Sequence, residues 1–311
     1  MSLETDILME RRRTRRSALL WKVVAALAVT ALAAVLVARP MEDLDGLEAA
    51  ALFDGEHIAR VRVEGLIVED RWRDKMLKDL KDDDTVKAVI VHVNSPGGTV
   101  VGGEDLYRLL RDVAAQKPVT TVLGSVAASA GYMTAIGGER IFAREGTLTG
   151  SIGVLFQSTE VTGLLEKVGV KAELVKSAEL KAQPNPIEPF NEQARAAIKG
   201  VVMDMFDMFT DMVAERRGMD RDKVLALADG RIYTGRQALA NGLIDAIGGE
   251  DAAIAWLESE KDVAADLPIK DKKPKYPRPD YLERVLGSFG KALVSERLTL
   301  DGLVSVWQPD L

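Results

Sequence analysis

Two short segments carry residue types suited to covalent chemistry: Asn94-Ser95-Pro96-Gly97-Gly98 and Ala127-Ala128-Ser129-Ala130-Gly131. In the second, a serine stands among Ala and Gly, small neighbours that let backbone come close to whatever the serine touches. Tyr132-Met133 follows with a helical pattern, so the serine sits where N–H groups are left without intrahelical partners. Such groups can hold an oxyanion. We read Ser129 as a nucleophile and the Gly97-Gly98 turn as its oxyanion partner. A serine needs a base to take its proton. The chain has no cysteine and two histidines, His57 and His92. His92 falls inside an apolar run and His57 at the start of the folded part, so both read as structural. The remaining base is a lysine made neutral by desolvation. From pattern alone Lys176 and Lys181 are both candidates, because each follows an apolar stretch and precedes the proline-broken loop 184–189.

The elements that must position these groups alternate. Val86 to Val93 is a run of β-branched residues with the composition of a buried strand, and Pro-Gly-Gly is expected to end it in a tight turn. A helical pattern follows (Leu106, Leu109, Leu110, Val113). Val119 to Leu123 repeats the layout before Ser129. Further strands are expected at 57–68, 140–143, 172–175 and 243–247, and a Gly/Thr/Ser-rich loop over Thr147–Val154. Helices are expected at 72–80, 161–168, 236–241 and 251–257. Asn191 is placed to cap a long helix whose apolar stripe runs through Ile198, Val201, Val202, Met205, Phe209, Met212 and Val213. Strands separated by helices indicate an α/β fold with a mostly parallel sheet and crossover helices.

Charge and hydropathy set the topology. Residues 1–39 hold seven cations against three acids, a balance of +4, which leaves −11 for the rest of a chain whose net charge is −7. That acidic remainder argues against nucleic-acid binding. Residues 17–38 are predominantly apolar, with Lys22 as the one charge, and have about the length that a bilayer-spanning helix needs. The arginine cluster ahead of them places the N-terminus in the cytoplasm. We therefore expect a cytoplasmic N-terminus (1–16), a signal anchor (17–38), a stalk (39–55), a catalytic domain (56–265) on the far side of the membrane, and a linker with an amphipathic helical tail (266–311). The Lys/Pro-rich stretch 268–279 is read as the linker. A cleaved signal peptide is the competing reading of the N-terminus.

Four motifs in order, Asn94–Gly98, Ser125–Tyr132, Thr149-Gly150-Ser151-Ile152-Gly153-Val154 and Ala228–Arg236, resemble the signal peptide peptidase A family over roughly residues 57–260. These are membrane-anchored Ser-Lys peptidases with a Clp-protease/crotonase-like fold, and the length is similar to the short bacterial form. The resemblance implies Ser129 as nucleophile and Lys181, the last lysine of Lys-Ser-x-x-x-Lys, as general base; Lys176 matches the first lysine, which is not catalytic. It implies that Ser151 bonds the lysine amine. The oxyanion would lie between the N–H groups of Gly97 and Ala130, with Gly98 supporting the turn. It implies no metal or cofactor, apolar peptides such as signal peptide remnants as substrates, a bacterial inner-membrane location, and a homo-oligomeric ring whose sites are shared between subunits. Two further readings keep the fold: a crotonase-like membrane scaffold without hydrolysis, and a Ser-Lys peptidase acting on intact membrane proteins. An acyl-CoA enzyme is disfavoured, because CoA thioesters are cytoplasmic.

Overall fold

The computed structural model describes residues 21–22, 55–277 and the backbone of 303–306. The expected anchor lies outside these apart from Trp21 and Lys22, which are helical, and the amphipathic tail helix lies outside them altogether. Among the described residues no helix is long and apolar enough to cross a membrane. The chain divides at Gly55, and everything below concerns the unit that begins at Glu56.

The sheet is built on a parallel ladder. β1 (His57–Ile67), β2 (Val86–Thr99) and β3 (Val119–Ala128) lie side by side, with β4 (Arg140–Ala143) and β8 (Ala246–Ile247) continuing beyond β3. Parallel strands need long crossovers. Here α1 (Arg71–Asp82), α2 (Val100–Ala114) and the short α3 (Ala130–Ala135) supply them. β2 has no polar alternation because both its faces are covered. Val89, Val91 and Val93 join the larger core with Leu77, Leu106, Leu110 and Phe209. Ala88 and Ile90 face a smaller one with Phe142, Ala253 and Leu257. Phe209 comes from α5 (Glu192–Arg217), and Ala253 and Leu257 from α8 (Glu250–Glu260). Asn191 caps α5 as expected, its Oδ1 accepting from the Ala194 N–H at 2.8 Å.

Four sequence expectations need correction. β2 does not end at Pro-Gly-Gly: after a shift of register it runs to Thr99, with Leu66 and Ile67 pairing to Gly97 and Gly98. No strand forms at 172–175, where Val175 is fully exposed and no pairing with a strand is made among the described residues. The stretch read as a linker contains β9 (Ile269–Lys272), which pairs in parallel with Ile58–Val61 of β1. The expected strand at 243–247 shrinks to β8, because Leu243 and Ile244 are used to close α7 (Gly235–Asn241). A helix absent from the sequence reading, α6 (Arg221–Leu227), follows α5.

The far end of β2 is where the parallel order breaks. Val93 faces Leu123, but Ser95 already faces Ala127, so β3 bulges through Gly124–Val126 and moves away from β2. Beyond that point β10 (Leu303–Val306) takes its place, antiparallel to Gly97–Thr99, and also pairs with β6 (Leu155–Phe156). On the other side of β3, β5 (Leu148–Gly150) pairs with Val126–Ala128 and with β7 (Ile232–Thr234).

Candidate active site

Ser129 sits between the last residue of β3 and the first of α3, with φ 57° and ψ −120°. L residues avoid this region, and holding one there costs about 1–3 kcal/mol. The neighbours fix it from both sides. Its N–H donates to Gly150 O at 2.8 Å, and its carbonyl accepts the Met133 N–H at 2.9 Å. The residue is 1% exposed.

Close approach explains the small residues around it. A Cβ on Gly131 would lie 2.8 Å from Ser95 O, so the first turn of α3 packs directly on the Ser95–Gly97 bulge of β2. A Cβ on Gly103 would meet Ala130 Cβ and Met133 Sδ, both at 3.0 Å, bringing the start of α2 against α3. Gly97 has φ 131°, which favours glycine. Its N–H donates to Ser95 Oγ at 3.1 Å, and Ser95 Oγ donates in turn to Gly97 O at 3.1 Å. The donor expected for an oxyanion is thus engaged inside its own turn.

Two residues that the motif reading left without a role shape this turn. Asn94 Oδ1 accepts the Val126 N–H at 3.2 Å, and a Cβ on Gly124 would meet it at 2.8 Å, so this side chain fills the bulge that separates β3 from β2. Ser95 is fully buried and makes the bonds just described. An Asn-Ser pair ahead of Pro-Gly-Gly was the available signal, since both side chains bond readily to nearby backbone.

Ser151 follows directly. Gly150 (φ 83°) and Ser151 (φ 49°) are consecutive left-handed residues that turn the chain sharply at the end of β5. The Ser151 N–H donates to Arg231 O at 2.9 Å, which ties the Thr-Gly-Ser motif to the Asp229-Gly230-Arg231 turn. Asp229 receives the Arg231 guanidinium at 2.7 Å, and this bond holds its carboxyl below the usual range. Ser129, Gly97, Gly98, Ala130 and Ser151 therefore share one neighbourhood, and Ser95, Thr149 and Ser151 are buried with the serine.

The histidines lie elsewhere. His92 Nε2 is 2.5 Å from Glu250 Oε2 at the start of α8, beside Arg60, and His57 is buried at the start of β1. Lys181 is exposed, on a loop between α4 (Thr162–Lys167) and α5, its N–H bonded to Ala178 O at 3.0 Å. The serine neighbourhood and this lysine thus differ in setting: one is closed off within the domain, the other faces solvent.

The site is a serine on a strained strand-to-helix turn beside two glycines of β2, in an α/β fold with a mostly parallel sheet. Residues 68–147 match the Clp protease family. The chain belongs to Peptidase family S49, which matches residues 111–264, a span holding Ser129, Ser151 and Lys181. A Synechocystis protein named as a protease is 36% identical over 225 residues, 70% of this chain and 80% of that one. An Enterococcus faecium protein named as the signal peptide peptidase SppA is 40% identical over 186 residues, 60% of this chain. The match covers 54% of the Enterococcus protein, so the chain spans about half its length. The chloroplastic serine protease SPPA of Arabidopsis thaliana is 33% identical over 239 residues, 73% of this chain and 34% of that protein.

Proposed function

We propose that the protein is a membrane-anchored serine endopeptidase that cleaves signal peptide remnants and similar apolar peptides with Ser129 as nucleophile and Lys181 as general base. The observation that carries this reading is the strained, buried Ser129 held between β3 and α3 against the two glycines of β2. Neutral Lys181 takes the Ser129 Oγ proton as Oγ adds to the scissile carbonyl. The N–H groups of Gly97 and Ala130 receive the oxyanion, the Gly97 N–H exchanging Ser95 Oγ for it. The lysine gives its proton to the departing amine. Water, deprotonated by the same lysine, then cleaves the ester. Ser151 orients the amine.

An exposed lysine is solvated, so its amine needs a cover before it works as a base at neutral pH. The same stretch exposes Leu164 (61%), Val168 (64%) and Val175 (104%), apolar side chains suited to meeting another copy. We infer a ring in which a neighbouring subunit covers this loop, so that each site is shared. The apolar run at 17–38 supports an anchor in the bacterial inner membrane, with the N-terminus cytoplasmic and the catalytic domain outside.

The test is kinetic. Ser129→Ala and Lys181→Ala should each abolish turnover of an apolar peptide in folded protein, and mixing the two should restore part of it. Recovery supports sites shared between chains; no recovery places the dyad in one chain. Activity retained by Lys181→Ala removes the lysine from the mechanism. A Ser129 that no serine-directed probe labels would favour the scaffold reading.

A further inference from the structure

A base carried on an exposed loop works only if something fixes that loop, since a misplacement of about 1 Å costs roughly 10²-fold in rate. In this loop one carboxylate gathers the chain on both sides of Lys181. Glu188 Oε2 accepts from Lys176 Nζ at 2.8 Å, from Gln183 Nε2 at 2.8 Å and from Asn185 Nδ2 at 2.5 Å. Lys176 Nζ also reaches Glu179 O at 3.3 Å, and Asn185 Nδ2 reaches Ala182 O at 2.9 Å. Backbone bonds complete the turn: Lys181 N–H to Ala178 O, and Gln183 N–H to Leu180 O at 3.2 Å. Residues before the lysine (Lys176, Glu179) and after it (Ala182, Gln183, Asn185) are thus tied to a single point. The Lys176 side chain is 14% exposed and that of Glu188 22%, so this pair is better sheltered than an ordinary surface ion pair.

We propose that the Lys176–Glu188 pair is a clasp that positions Lys181, and that both are positioning residues rather than catalytic ones. This gives the first lysine of Lys-Ser-x-x-x-Lys a purpose: its ammonium must stay charged to hold the clasp, while the second must be neutral to act. The hydrogen bond from Lys176, with that from Asn185, holds the Glu188 carboxyl below its ordinary range. The carboxylate half of the clasp is therefore in place at neutral pH and is lost only in acid.

The inference rests on Lys181 being the base, and the experiment separates the two claims. On the full-length protein, kcat and KM for an apolar fluorogenic peptide are measured against pH for wild type, Glu188→Gln, Lys176→Met, Lys176→Arg and Lys181→Ala. The acid limb of kcat/KM reports the base. Loosening the loop takes the amine out from under the cover that a neighbouring subunit supplies, and a base that is better solvated is harder to keep neutral. In Glu188→Gln and Lys176→Met the acid limb should move up by about one pH unit or more. At the same time kcat should fall at least about tenfold with KM within about threefold. Lys176→Arg keeps the charge and should stay near wild type. A purely structural role would lower the amount of active enzyme and leave the limb in place. An unmoved limb in both clasp variants, with Lys181→Ala inactive, overturns the clasp alone. An active Lys181→Ala overturns the assignment of the base, and the clasp with it.

Discussion

Replacing Gly98 by alanine is the sharpest perturbation available at the glycine pair of β2. The added Cβ would fall inside the van der Waals envelope of Ile67 O, with Ile67 C at 2.5 Å and Ile67 N at 2.6 Å. Ordinary contacts begin near 3.4 Å, so one strand must move by well over 1 Å, and the obstacle is backbone with no rotamer to change. Overpacking of this kind costs about 1–3 kcal/mol. In a domain of this size that lowers Tm by roughly 2–12 °C. The movement reaches the site, because Leu66 pairs with Gly97 next to the clash. Displacing an oxyanion donor costs about 10²–10³-fold in kcat. Thermal unfolding and peptide turnover of Gly98→Ala should show both effects, with Gly146→Ala as control, since nothing lies within 4 Å of a Cβ there. A Gly98→Ala protein with wild-type kcat would refute the placement of this pair in the catalytic apparatus, whatever its Tm.

Other outcomes follow from single contacts. Ser95→Ala removes the acceptor of the Gly97 N–H and strands a buried donor, a loss of about 1–3 kcal/mol. If the Oγ braces the turn, kcat falls; a rise in kcat would show that it competes with the oxyanion. Burial pushes the Glu250 carboxyl up, but hydrogen bonds from Arg60 and His92 outweigh it and hold the group below its usual range. The folded value being depressed, its contribution is complete above the unfolded value of about 4.3 and is lost as pH falls through the folded one. Glu250→Gln should therefore unfold at lower temperature than wild type at pH 7, with the gap closing in acid; a constant gap would assign the loss to packing. Deleting residues 303–311 removes β10 from the Gly97–Thr99 edge. If that strand competes with substrate, KM should fall several-fold at unchanged kcat, and a peptide of the deleted sequence should inhibit. A rise in KM would make β10 part of the substrate wall instead.

Local pattern carried the reading where local causes dominate. The β-branched run at 86–93, the Asn191 cap and the helix expected at 236–241 each depend on neighbours within a turn or two. Ser129, Ser151 and the Gly97-Gly98 turn could be singled out because small residues cluster there, and they do converge. What was not legible is pairing over distance. Pro-Gly-Gly reads as a strand end unless Leu66 and Ile67 are known to lie alongside. Lys270–Lys272 reads as a solvated linker until β1 offers its free edge. Ala172–Val175 fails in the opposite way, with strand-like residues and no partner. Lys181 lies on an exposed loop, and nothing local to Lys-Ser-x-x-x-Lys says which surface it meets.

The twist at residue 129 has a consequence for the history of this protein. Glycine could relax that kink and alanine would keep it, yet neither has a hydroxyl. A lineage that stopped hydrolysing peptides would have no reason to retain a side chain in so awkward a bend, and glycine would be free to settle there. On the reading proposed above the bend and the hydroxyl belong together, since a glycine at 129 would relieve the backbone and leave nothing to attack a carbonyl.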